Sequence, residues 1–232
     1  MTTLPLRLYV LALLGSAALV RGHSSIINDL TVTEASRSID LTGGQARVEL
    51  TMTLRTSSAQ SYALLAFSAK HTVAHISVAA AGGAPLRTVA TSVMGAPARL
   101  QFYRVNFASP LAAGAALQLR AAAVLVGALA PLPASTKQGV PQRLVYIDEH
   151  FLPSPYKVES QRTDVLLPTS GAPEGWAAAA AAHPAAALGS AAKTVRYGGY
   201  GKQPPYAISP MRLHFEQPAP LWEVGTLTRE LR

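Results

Sequence analysis

The chain contains no cysteine. No disulfide can brace it, and the fold must stand on burial and hydrogen bonding alone. It is also poor in charge and in aromatic rings, at 14% and 6% of its residues. The basic residues are spread in ones and twos, and the formal charge of +8 forms no clustered stripe. That pattern argues against a nucleic-acid site, which needs concentrated positive charge. No Asn-x-Ser/Thr acceptor, Gly-x-Ser-x-Gly elbow, His-Glu-x-x-His helix or dinucleotide fingerprint occurs, so the usual motifs of hydrolases, zinc peptidases and nucleotide enzymes are missing. No apolar run is long enough for a comfortable membrane span. Ala121 to Pro133 is interrupted by Pro131, and the alanine-rich tract 176–192 is broken by His183, Pro184 and Gly189.

What is present begins at the amino terminus. Arg7 precedes the apolar run Leu8 to Val20, and small residues follow, which is the layout of a secretory leader. Cleavage after Gly22 would leave His23 first; cleavage after Ala18 is the alternative, and a buried N-terminal helix is the competing reading. With residues 1–22 set aside, about 210 residues remain, enough for one large β domain. Arg47 to Arg55 alternates strictly, with Val48, Leu50, Met52 and Leu54 on one face. This predicts a half-buried antiparallel strand. Similar segments run Leu30–Ala35, Tyr62–Phe67, Val73–Val78, Leu100–Phe107, Leu117–Val126, Leu144–Ile147, Val158–Leu166 and Met211–Phe215, punctuated by glycine and proline. The spacing predicts an all-β antiparallel sandwich over 23–218, with the start of a second β domain in 219–232. The apolar parity changes at Phe102-Tyr103, which predicts a bulge there or burial on both faces. The alanine-rich tract 176–192 reads as a loop with at most a short helix ending at Pro184.

Candidate chemistry is sparse. His71 and His75 lie on an extended stretch that separates them by ~13 Å, too far to share a metal without a third ligand. Asp148, Glu149 and His150 could do acid-base work, but three adjacent polar residues are read as a solvated turn. Gly198 to Lys202 lacks the spacing of a phosphate cradle and is read as a hairpin loop. No cofactor or catalytic residue is expected.

Specific residues carry more information between Leu129 and Gln161. Pro131 and Pro133 are followed by Gln138 and Gln142, the strand Leu144-Val145-Tyr146, a turn at Asp148 to His150, then Ser154-Pro155-Tyr156 and Gln161. This ungapped pattern resembles the ribophorin I family. Weaker similarity covers Asn28 to Leu54, Val195 to Tyr197 and Met211 to Phe215, with Trp222 beyond. The alanine tract replaces a Gly-Pro segment usual in that family, and Glu223-Val224 follow Trp222 where a glycine is expected. The resemblance implies a lumenal, non-catalytic accessory subunit of the oligosaccharyltransferase of the endoplasmic reticulum. It also implies contact with the other subunits and with nascent polypeptides, and membrane association through the complex or a C-terminal anchor. The chain matches only the family's first third. A secreted β-sandwich binding module, or the non-catalytic front domain of an exported peptidase, is the alternative. Pro131 and Pro133 would end a strand and stiffen a loop, and Ser154-Pro155 would preset the direction of Tyr156. That tyrosine is then either core, in a cluster with Phe151, or an interface anchor.

If residues 1–22 are a leader, N-terminal sequencing of the mature protein should find His23 first. Retention of Met1 in a protease-accessible cytosolic chain would refute this reading.

Overall fold

The computed structural model describes residues 23–24, 29–134, 142–168, 186–188 and 193–217. Among them every regular element is a strand. Strand β3 (Ala46–Thr56) shows why: its even-numbered residues from Ala46 to Leu54 are buried, while Arg47, Glu49 and Arg55 are exposed. It lies antiparallel between β2 (Leu30–Asp40) and β8 (Ala116–Val126). Across the β3/β8 pair Leu50 opposes Ala121 and Val48 opposes Ala123. Large side chains thus alternate with small ones, leaving room for the opposite layer to interdigitate.

The large sheet runs β13 (Ala186–Leu188), β14 (Thr194–Tyr200), β12 (Gln161–Leu166), β2, β3, β8 and β5 (Thr72–Ala80), and β11 (Lys157–Val158) also pairs with β2. A four-stranded sheet has the order β1 (His23–Ser24), β6 (Thr88–Val93), β7 (Leu100–Leu111) and β4 (Gln60–Ser68). A three-stranded sheet has the order β15 (Pro210–Gln217), β10 (Gln142–Glu149) and β9 (Leu129–Leu132). Residues of all three sheets, among them Leu54, Val105 and Leu144, meet in one buried cluster. Burying each such leucine or valine contributes ~1.5–3 kcal/mol, and without disulfides this burial is the main support.

The all-β expectation holds, with informative departures. Most pairings are antiparallel, but β11 and β12 run parallel to β2, and β1 runs parallel to β6. The single segment expected from Val158 to Leu166 is therefore two short strands, and the intervening Ser160 carbonyl accepts the Ala35 N–H at 2.9 Å. Strand β2 continues five residues past the expected Ala35. A register shift between Val32 and Glu34 turns Ala35, Arg37 and Ile39 inward. At Phe102-Tyr103 the β4/β7 register runs on without a bulge. Burial on both faces explains the parity change instead: Phe102 packs with Ala66 and Leu100 in a second small cluster, and Tyr103 packs on the main core.

Three loop readings are corrected. Pro131 sits inside β9, opposite Leu144, on the edge of the three-stranded sheet, where a missing N–H costs no ladder bond. Gly198 to Tyr200 close strand β14 rather than forming a hairpin loop, and a Cβ on Gly198 would lie 2.8 Å from the Arg162 Cα. Within the alanine-rich tract, Ala186 to Leu188 pair with β14 as a strand. The expected second domain and Trp222 lie outside the described residues.

The edge of β4 is closed by a side chain. The Leu64 N–H donates to the Tyr156 hydroxyl at 2.7 Å, in a position where another strand's carbonyl would otherwise sit. Tyr156 is 2% exposed, and its burial raises the phenol pKa well above the usual range, so the oxygen remains a neutral acceptor. Phe151 packs edge-on against Tyr200, with centroids 5.0 Å apart, and Tyr200 packs on the same main core that holds Tyr156. Tyr156→Phe should leave the Leu64 N–H buried without an acceptor and cost ~1–3 kcal/mol in denaturant melts. Tyr156→Ala should cost ~3–5 kcal/mol, as large-to-small aromatic changes in cores do. Phenylalanine as stable as tyrosine would show that the hydroxyl contributes nothing.

Candidate functional site

The most concentrated chemistry lies inside the molecule. Strand β2 brings Arg37 inward between Ala35 and Ile39, where an apolar residue would be expected. Its guanidinium reaches strand β10, with Nη1 3.5 Å from Asp148 Oδ2 and Nη2 donating to the Glu149 carbonyl. Nε donates to Thr163 Oγ1 on β12 at 3.2 Å, and that hydroxyl donates onward to the His150 carbonyl at 2.8 Å. Both side chains of the ion pair are only 5% exposed. The Tyr146 hydroxyl donates to Asp148 Oδ2 at 2.8 Å. Burial first, and the neighbouring Asp148 charge second, push the Tyr146 phenol well above its ordinary range, so it acts as a donor throughout the accessible pH range.

Asp148 to His150 is therefore not a solvated turn. Asp148 and Glu149 end strand β10, Asp148 is 7% exposed and His150 is 2% exposed. Sequence proximity alone suggested solvent, but a cation from a strand distant in sequence makes burial possible. Glu149 is pushed above the ordinary carboxylate range by burial, against the opposing pull of Arg99, whose Nη1 lies 3.3 Å away. His150 Nδ1 lies 3.0 Å from Ser209 Oγ, and the His150 N–H also donates to the Ser209 carbonyl at 2.8 Å. A serine and a histidine so paired can in principle act as nucleophile and base. Here both are closed off, Ser209 at 4% exposure, and the imidazole packs 4.2 Å from the Tyr197 ring. The doubled contact acts as a brace between the end of β10 and the approach to β15.

His71 is buried and His75 exposed, so they share no site. Among the described residues, no three His, Asp or Glu side chains are placed to hold one metal ion.

Among the described residues, those that carry the family pattern lie on β9, at the start of β10 and in the loop from β10 to β12. Pro131 lies in β9, and Pro133 follows it across a cis Leu132–Pro133 peptide. Gln142 opens β10, opposite Gln217, and Gln138 lies outside the described residues. The Ser154 hydroxyl donates to the Tyr156 carbonyl at 3.1 Å and accepts the Tyr156 N–H at 3.0 Å, locking the turn around Pro155. Gln161 is 3% exposed, and its Oε1 accepts the Leu152 N–H at 2.6 Å. The structure brings Ser154, Pro155, Tyr156 and Gln161 together around the buried loop between β10 and β12. Sequence reasoning missed Arg37, Thr163 and Ser209. The available signal for Arg37 was a lone charge at two-residue spacing from Ala35 and Ile39.

Fold and site together define an all-β domain with a structural polar core. Comparison places it further: the family model for ribophorin I matches residues 30–232, and the chain belongs to that family. It is 29% identical over 218 residues to subunit 1B of the dolichyl-diphosphooligosaccharide–protein glycosyltransferase of Arabidopsis thaliana, covering 89% of this chain and 46% of the relative. The subunit 1B of Oryza sativa subsp. japonica is also 29% identical, over 88% of this chain and 44% of its own length. The chain thus spans less than half the length of these relatives. Among solved structures, a yeast LTA4 hydrolase superposes with a TM-score of 0.48 and 11% identity, over 80% of this chain and 28% of that one.

Arg37→Met should strand a buried Asp148 carboxylate and cost ~3–5 kcal/mol in chemical denaturation. Adding Asp148→Asn keeps an acceptor for Tyr146 and removes the stranded charge, so the double variant should recover much of that loss. Equal destabilisation of the single and double variants would show that the charge pair is not the governing interaction.

Proposed function

We propose that this chain is a non-catalytic accessory subunit of the oligosaccharyltransferase complex, acting on the lumenal side of the endoplasmic reticulum membrane in support of N-linked glycosylation. The observation that carries the reading is the family match over residues 30–232, together with relatives named as subunit 1 of that glycosyltransferase. The geometry is compatible with it. The Arg37–Asp148–Tyr146 and His150–Ser209 clusters are buried and committed to internal hydrogen bonds, and Ser154, Tyr156 and Gln161 of the family pattern close a loop. Substrate binding and transfer would then belong to another subunit, while this domain supplies contact surface to its neighbours and to nascent chains. Residues 23–218 form the lumenal sandwich in this proposal, and 219–232 begin the next β domain.

Affinity purification of the tagged chain from solubilised microsomal membranes should recover other oligosaccharyltransferase subunits, and purified residues 23–232 should transfer no oligosaccharide to an acceptor peptide with or without divalent metal. A chain secreted free of the complex would overturn the assembly, and turnover by the isolated chain would overturn the non-catalytic role.

A further inference from the structure

Two small cavities lie side by side in the core and share Leu50, Ala66, Leu152 and Pro153 in their walls. Their chemistry differs. The first, of about 20 Å³, is also lined by Arg37, Ser68, His71 and Asp148. The second, of about 10 Å³, is lined otherwise by Met52, Leu64, Leu65, Ser154, Pro155 and Tyr156. In the second, Ser154 is engaged with the Tyr156 backbone and the Tyr156 oxygen accepts the Leu64 N–H, which leaves the phenolic O–H as its one unused donor.

The first cavity contains unused hydrogen-bonding capacity. His71 is 7% exposed, and neither ring nitrogen has a partner among the described residues. A neutral imidazole carries one donor and one acceptor, and leaving both unmet in a buried site is costly. The ring cannot easily turn away, because it stacks on Tyr146 with centroids 5.6 Å apart and planes 10° from parallel. Arg37 uses one N–H on each of its three nitrogens toward Thr163, Asp148 and Glu149. A guanidinium has five N–H groups, so two remain.

We propose that the His71 cavity binds one ordered water molecule, held between the His71 imidazole and the Arg37–Asp148 pair, and that the neighbouring apolar cavity stays dry. A buried water needs roughly 10–15 Å³ and two to four polar partners; the first cavity meets both conditions. The second is at the lower limit of size, and its one unused donor, the Tyr156 O–H, falls short of the two partners a water needs. The Arg37 guanidinium disfavours a cation in the first cavity and the Asp148 carboxylate disfavours an anion. A neutral molecule that both donates and accepts fits the lining, and the volume admits only one. The water would join the corner before β5, where His71 sits, to β2 and β10.

Magnetisation-transfer NMR on the mature chain tests the site directly. A cross-peak should connect a long-lived water to the His71 ring protons, with none to the Leu64 or Leu65 methyl groups beside the second cavity. A high-resolution crystal structure should show a single density peak within hydrogen-bond distance of a His71 ring nitrogen. His71→Phe, which keeps the aromatic stack on Tyr146, should lose the water and lower the melting temperature by several degrees. The proposal is overturned if the wild-type cavity is empty, if both cavities hold water, or if His71→Phe melts at or above the wild-type temperature.

Discussion

The core is organised around a guanidinium shielded from bulk solvent. Arg37 is delivered by the large sheet and satisfied by the three-stranded sheet, through the Asp148 carboxylate and the Glu149 carbonyl, with Thr163 bridging on the large sheet's own side. Apolar contact alone would let two sheets slide or rotate with little penalty, since dispersion and hydrophobic burial have no direction. A buried cation tolerates no such slip, because any arrangement that separates it from its acceptors exposes the full desolvation cost. In a chain with no disulfide, this cluster supplies a directional constraint between the large and the three-stranded sheets.

The same logic runs outward from the ion pair. Asp148 is held by Tyr146, Tyr146 is stacked by His71, and Thr163 passes the hydrogen bond from Arg37 to the His150 carbonyl. His150 in turn fastens Ser209 by side chain and backbone. Each polar group that enters the interior brings the next one with it, until the chain of partners reaches the approach to β15. Networks of this kind are worth more than a sum of pairs, and they are costly when left incomplete. That cost attaches to the unmet nitrogens of His71, as it does to Glu149 Oε2 and Gln161 Nε2.

Legibility in the sequence followed the physics of each segment. Strand β3 could be read residue by residue, because one face meets the core and the other meets solvent, so period two survives in the sequence. Strands β6 and β9 were not read. Thr88 to Val93 is half-buried without clear alternation, and Leu129 to Leu132 carries a proline that only an edge position permits. Strand β2 was cut short because a one-residue register shift changed the parity just before a buried arginine. The Asp148 to His150 reading failed for a related reason. Burial of that triad depends on a partner 111 positions away from Asp148, and no local pattern encodes such a contact. Serine–proline–tyrosine and the glutamine after it were recognised only through their family pattern, since side-chain bonds to backbone leave no periodic trace.

That last group explains why a stretch so diagnostic of the family contains so little chemistry. Ser154 bonds the Tyr156 backbone, Tyr156 bonds the Leu64 backbone, and Gln161 bonds the Leu152 backbone. All three replace ladder hydrogen bonds where the chain leaves β10 and must cross the core before joining β2 in parallel through β11 and β12. A loop buried at that point would otherwise leave main-chain donors unmet, at a cost comparable to losing a hydrogen bond each. Apolar residues of the same size could fill the volume but could not accept those N–H groups. The particular residue types are therefore demanded by the crossing itself.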